Sequence, residues 1–262
     1  LKTLEDRLLF ERTAWDAIGR EAQPSWYLDP LVAEQKKQVH RKLALRWSAG
    51  LNLARVVKTD LFEEAFGDDD FYTGLFGAAL HVGLEFASTT ARAAARRGLE
   101  ICISDVRQIG LASNSVDLVL SNSTLDHFAH RREFLHSLAE LHRVLRPGGV
   151  LILTLDNPHN LLYPLLRLWT HTRWAPFPLG YTASREETRR DLENLGFAVT
   201  SQEWLIHNPR LLSTGLFLAL RKLLGARAGR AIALALRAFA NLGRWPTRRY
   251  TACFHALRAV KT

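Results

Sequence analysis

Methionine is absent from this chain of 262 residues, and cysteine occurs only twice, as Cys102 and Cys253. Without a methionine, Leu1 reads as a trimmed or renumbered start. Two cysteines in strand-like runs cannot frame a disulfide scaffold, so buried thiols in a reducing cytoplasm are expected. No uninterrupted apolar run reaches the ~18 residues of a spanning helix. The N-terminus lacks the apolar core of a secretion signal. Acid is missing from one long region: from Trp204 to Thr262 there is no Asp or Glu, against 11 Arg and Lys. The whole chain carries +9, so the first 203 residues carry −2 (9 − 11). A basic, Leu- and Ala-rich tail suits an acidic partner surface, anionic lipid or nucleic acid, or is a solvated arginine-rich helix face. Repeats, low-complexity segments and long linkers are also missing. With 47% apolar residues the chain can build one substantial core with additions.

What is present is an alternation of elements. From Glu100 to Asn157 the chain reads ICISDVRQI, then VDLVLSNSTLDHF, then FLHSLAELHRVLRPGGVLILTLDN. Two apolar β-branched runs each end in polar residues, and a helix with a glycine stop leads into a third run, as in a parallel sheet. Strands are predicted over 55–57, 79–84, 100–104, 116–121, 150–155, 197–206 and 250–260, with Pro147-Gly148-Gly149 turning the chain into the fifth. Helices are predicted over 4–19 and, after the Gln23-Pro24 turn, over 30–47, where Asp29 caps and Pro30 opens the first turn. Others cover 88–97 and 131–145, where Phe134, Leu138, Leu141 and Leu145 share a face. The capping box Ser184-Arg-Glu-Glu187 opens another that stops at Gly196. Two more, 211–224 and 230–241, flank a break at Gly225–Gly229. Ligands of such sheets bind beyond the carboxyl ends of the strands, which is where Asp105, Asn122, Asp126 and His127 fall.

LRPGG at 145–149, the SNSTLDHF segment and VGLEFASTTARAAARRG together resemble class I S-adenosylmethionine-dependent methyltransferases, nearest the broad small-molecule group called type 11. The resemblance covers Arg55 to Asn157 well and continues loosely to Lys261. It implies an α/β fold: a doubly wound, Rossmann-like sheet of seven strands, the last antiparallel. Residues 1–50 would be a helical segment and 51–262 the α/β domain, with a helical cap inserted at about 159–180 and 208–247. S-adenosylmethionine is the implied cofactor, and no metal is expected. Glu85 takes the place of the acidic ribose ligand, since a carboxylate there can accept from both hydroxyls. Asp105, with the backbone of the following Val106, takes the place that reads adenine. Asn122 is counted with the cofactor ligands.

One departure stands out in the residues after the first strand. The family carries an acid and then a glycine-rich loop there, letting bare backbone approach the cofactor. This chain has VVKTDLFEEAFG, with Lys58 at the acid's position and no glycine before Gly67. Side chains must then substitute: Asp60 for the cofactor's ammonium, Lys58 or Thr59 for its carboxylate. His127, beside Asp126, is the candidate base for an acceptor that must lose a proton, or else an orienting residue in its loop. His207 is a second, weaker candidate. Asp117 is expected to hold a turn.

All seven tryptophans (Trp15, Trp26, Trp47, Trp169, Trp174, Trp204, Trp245) lie outside residues 50–160. They read as a lid over a small, largely apolar or aromatic acceptor, or as packing between cap helices. The functional expectation is methyl transfer to such an acceptor. The alternatives are a catalytically silent binding protein on the same fold and an RNA-directed methyltransferase. Nucleic acid is disfavoured because no RNA-binding module is appended and SNST replaces the NPPY-like motif. The expected location is cytoplasmic, with peripheral contact between the basic C-terminal helices and an anionic membrane.

Overall fold

A computed structural model describes residues 4–22, 28–67, 74–170, 172, 175, 177 and 179–262, with backbone alone for 4–8, 211, 212 and 214. The predicted Gln23-Pro24 turn, Trp26 and Trp174 lie outside the described residues.

Two helices come first, α1 (Leu4–Glu21) and α2 (Pro30–Ser48). The Asp29 side chain accepts from the Leu31 amide at the start of α2, as the Asp-Pro pair predicts. Then follow β1 (Arg55–Thr59), α3 (Phe62–Phe66), β2 (Leu80–Glu85), α4 (Ser88–Arg96), β3 (Ile101–Ile103) and β4 (Val116–Asn122). A short turn of 3₁₀ helix over Leu125–His127 leads to α5 (Arg131–Val144) and β5 (Leu145–Asp156). The remainder is α6 (Tyr163–Thr170), α7 (Arg185–Asn194), β6 (Phe197–Leu205), α8 (Arg210–Leu224), α9 (Ala228–Asn241), α10 (Arg248–Thr251) and β7 (Phe254–Lys261).

The strands form one seven-stranded sheet in the order β3-β2-β1-β4-β5-β7-β6. The first five run parallel, and β7 is antiparallel to both β5 and β6. Alternate side chains go to opposite faces. Val57, Val119, Leu151 and Leu153 pack with Phe134, Leu138 and Leu141 of α5. Val56, Leu118, Val150 and Ile152 pack with Leu43, Ala44 and Trp47 of α2. Each fully buried leucine or phenylalanine contributes about 1.5–3 kcal/mol.

Most boundaries shift by a residue or two, and two strand starts differ by four residues or more. The chain does not turn at Pro147-Gly148-Gly149 before β5. The strand already pairs at Leu145 opposite Val116 and resumes at Val150 opposite Leu118, so Arg146–Gly149 bulges from a continuous strand. Gly148 takes φ 75° there, which a side chain resists. The last strand begins at Phe254 rather than Tyr250, because residues 248–251 form a helical turn whose carbonyls bind Asn157 and Asn160.

Candidate functional site

Strand order reverses between β1 and β4, and in a parallel sheet this opens a crevice at the strands' carboxyl ends. The side chains that reach its rim come from the chain just past β1, β2, β3 and β4, and from α1 lying across them.

After β1 the chain turns sharply. Asp60 takes φ 75°, a left-handed conformation that glycine would adopt freely, and its carboxylate accepts from the Phe62 amide at 2.7 Å. The next side chain, Leu61, is fully buried and leans over β2 at Gly83. Lys58 is buried, and its ammonium donates to Glu64 of α3 at 2.9 Å and to the Asp60 carbonyl at 2.6 Å. The side chain expected at a cofactor carboxylate therefore staples the β1–α3 turn, with Glu64 restoring the acid six residues later. Thr59 joins Ser121 and Thr124 through hydroxyl contacts of 2.9 Å each, bridging β1 to β4 across the switch point.

Glu85 ends β2 with both carboxyl oxygens on backbone, accepting from Leu61 at 3.1 Å and Ala87 at 2.8 Å. Burial pushes its pKa up to about 8, the nearby Asp60 charge adds to the rise, and the two amides oppose it. Asp105, past β3, is gripped by Arg107, whose guanidinium meets both of its oxygens at 2.6–3.0 Å. The same guanidinium reaches Glu11 of α1 at 2.7 Å and Glu133 of α5 at 3.0 Å, and lies 4.7 Å from the Phe128 ring centroid. Val106 is buried against the core beneath it.

Past β4, Asn122 is half-buried at the rim, and Ser123 takes φ 49°. The 3₁₀ turn then buries Leu125 and Asp126 and leaves His127 half-exposed. The expected acid–histidine pair does not point one way. Asp126 is 0% exposed, with one oxygen accepting from the Asp156 amide at 2.9 Å and the other without a hydrogen-bond partner among the described residues. Burial raises its pKa to about 6, with Asp156 adding to the rise. It ties the β4 loop to the end of β5, while the imidazole of His127 meets Trp15 edge-on at 5.1 Å and Phe177 at 6.3 Å. Phe62 joins the same group, 5.0 Å from Phe177.

Sequence reasoning missed Arg107, Phe62 and Phe177 at this rim, and it missed how α1 is held there. Asp16 accepts from the Thr89 amide at 2.6 Å, capping α4, whose own N-cap residue, Ala87, has no capping side chain. A short polar or acidic residue facing an uncapped helix start is the only local signal for this, and it needs the tertiary structure to read. Of the described tryptophans only Trp15 meets the rim aromatics: Trp47 is core, Trp169 packs against Tyr163, Leu166 and Leu179, Trp204 packs on His255 and Arg185 at the far edge of the sheet, and Trp245 is exposed. His207 bonds Thr251 at 2.8 Å and lies away from the rim group. Asp117 accepts from the Ala54 and Arg55 amides at 2.7 Å each, the structural role expected of it.

Residues 70–153 match a family model described as a methyltransferase domain. Malonyl-(acyl-carrier protein) O-methyltransferase 1 of Coxiella burnetii is 32% identical over 83 residues, which is 32% of this chain and 27% of that protein. The chain thus spans about a quarter of the curated relative it matches. Among solved structures, Haemonchus contortus phosphoethanolamine N-methyltransferase 2 with bound S-adenosyl-L-methionine aligns at TM-score 0.56 and 14% identity, covering 85% of this chain and 52% of that one. Geranyl diphosphate methyltransferase with bound cofactor aligns at 0.53 and 12% identity, over 85% and 84%. The (4+2)-cyclase SpnF aligns at 0.53 and 15% identity, over 84% and 79%. The chain has the class I S-adenosylmethionine-dependent methyltransferase fold, with the methyltransferase-domain pattern running through residues 70–153.

Proposed function

We propose that this protein transfers a methyl group from S-adenosylmethionine to a small, largely apolar acceptor. The observation that carries the reading is Glu85, a buried carboxyl beside the left-handed Asp60 at the β1/β4 switch point. Each of its oxygens accepts one amide and keeps a second lone pair for a ribose hydroxyl. Asp60 lies close enough to raise Glu85, so the two acids make a site suited to a cationic ligand. Asp105, with the Val106 backbone, is assigned to the adenine, Arg107 fixing the carboxylate's plane. Asn122 and Thr59 flank the crevice from β4 and β1.

When bound, S-adenosylmethionine supplies an electrophilic methyl group on a sulfonium. The chain's own part is to align the acceptor and keep water out, which Trp15, Phe62 and Phe177 do from above. His127, partly exposed among those rings, takes the acceptor's proton where one must leave. Asp126 positions that loop from beneath. Residues 159–180 and 208–247 are assigned as the cap over the acceptor.

Calorimetric titration with S-adenosylmethionine and S-adenosylhomocysteine tests the reading. Both are expected to bind, and Glu85→Ala is expected to weaken both by roughly 30-fold, the loss of two charge-assisted hydrogen bonds. Ribose hydroxyls donate to the ionised carboxylate, so affinity should rise with pH until about 8 and binding below that pH should release a proton. No binding at millimolar ligand would instead favour a silent binding protein on this fold, the reading suggested by the mutual packing of the rim aromatics.

A further inference from the structure

Two stretches of this chain contain no acid: residues 157–185, between Asp156 and Glu186, and residues 204–262, after Glu203. Together they are a third of the sequence, yet they hold 9 of the 14 large apolar side chains most exposed among the described residues. Bare leucine is therefore concentrated where only positive charge exists.

The structure explains which faces are bare. In α6, Tyr163 and Leu166 turn inward and Leu165 and Leu168 turn outward beside Arg167, with Leu161 exposed in the turn just ahead of the helix. Leu161 is 74% exposed and Leu168 69%. The start of α6 is fixed to α10, since the Leu161 amide donates to the Tyr250 carbonyl at 3.0 Å. That adds Trp245, Tyr250, Arg244 and Arg248, all exposed, to the same region. The α8–α9 hairpin seats Phe217, Ile232 and Leu236 on Val32 of α2 and locks Arg221 onto Asp29. Its outward stripes carry Leu216, Lys222 and Leu223 on α8, and Arg230, Leu234 and Arg237 on α9.

We propose that this helical layer, α6 with α8 to α10, docks on the surface of an anionic lipid bilayer. Charge complementarity selects an acidic partner, and the leucines select the kind. A nucleic acid would satisfy the arginines and leave the leucines in water, whereas a bilayer takes leucine into the acyl boundary while arginine stems lie along it with their heads at the phosphates. Among the described residues no helix is long and apolar enough to cross a membrane, so the layer lies on the surface. The inner face of α6 lines a cleft with Asn157, Arg210 and Cys253 at the carboxyl end of β5. Docking places that cleft next to lipid, and it holds whatever the chemistry of the crevice proves to be.

Sedimentation with vesicles of phosphatidylcholine alone, or of phosphatidylcholine with phosphatidylserine, provides the test. The full chain is expected to pellet with the anionic vesicles and to be released by salt. Leu165→Asp with Leu168→Asp, and separately Arg230→Gln with Arg237→Gln, should each weaken binding by about tenfold or more. Leu9→Asp, an exposed leucine of α1 outside the layer, should leave it unchanged, and circular dichroism should be native for all three. Failure to pellet with anionic vesicles at low salt overturns the proposal. So does undiminished binding by the folded leucine pair, or preferential binding to RNA lost only with the arginines.

Discussion

At the scale of single residues, a few buried carboxylates do the organising, and each does so by accepting from backbone. Asp117 is the clearest: one oxygen serves the Ala54 and Arg55 amides and the other pairs with Arg146 in the β5 bulge. Asp117→Ala should lower unfolding free energy by about 2–4 kcal/mol, because two amides lose their acceptor. Urea titration would measure that, and cofactor affinity should not change, since Asp117 sits at the opposite end of the strands. The structural role of Asp117 was legible from its place before β4, but its partners were not, lying 62 and 63 residues away. Lys58 teaches the opposite lesson. The sequence marks it as an oddity, and only the fold reveals that Glu64 neutralises it inside the turn. Arg107 carried no local signal, because two of its three carboxylates come from helices 26 and 96 residues away.

At the scale of elements, the turn after β1 replaces glycines with one close interlock. A Cβ added at Gly83 would fall 2.3 Å from Leu61 Cδ1, so the small residue on β2 makes room for the large one on the turn. Gly83→Ala should destabilise by about 1–3 kcal/mol through overpacking, and Leu61→Ala by about 2–5 kcal/mol through the cavity it leaves. The double variant should cost clearly less than the sum, because each change relieves the other. Denaturant midpoints of the four proteins settle it, and strict additivity would disprove the interlock. Elements with strong local chemistry were readable: the Asp29-Pro30 start, the Ser184–Glu187 capping box and the apolar stripe of α5 all appear as expected. Those shaped by distant partners were not. The β5 bulge depends on Asp117, and α10 replaces the first residues of the expected last strand because Asn157 and Asn160 bind its carbonyls.

For the whole molecule, buried ionisable groups confine stability to a window of pH. His40 and His255 are pushed down by burial, to about 4 and about 3, so the folded state binds fewer protons than the unfolded one below pH 6.5. Their contribution is therefore present above that pH and lost as it falls. Glu85 and Asp126 are raised, to about 8 and about 6, so the folded state binds more protons than the unfolded one above their ordinary values. Their contribution is present in acid and lost as pH rises through those values. Thermal melts across pH should therefore peak near pH 6–7. Glu85→Gln should flatten the alkaline side and leave the acid side as it was. The overall architecture was legible at this scale because parallel strands write long apolar runs, whereas the protonation window depends on which side chains the fold happens to enclose.

The position of β7 carries a consequence for how the molecule can be assembled. The strand lies between β5 and β6, and among the described residues β6 has no other neighbour in the sheet. Residues 197–205 thus emerge well before the surface they will bond exists, and they must wait until residues 254–261 arrive and slot in beside β5. During that interval the parallel half can already be folded, while one finished strand remains an unpaired ribbon. A chain cut just ahead of Phe254 would lose two strands, not one.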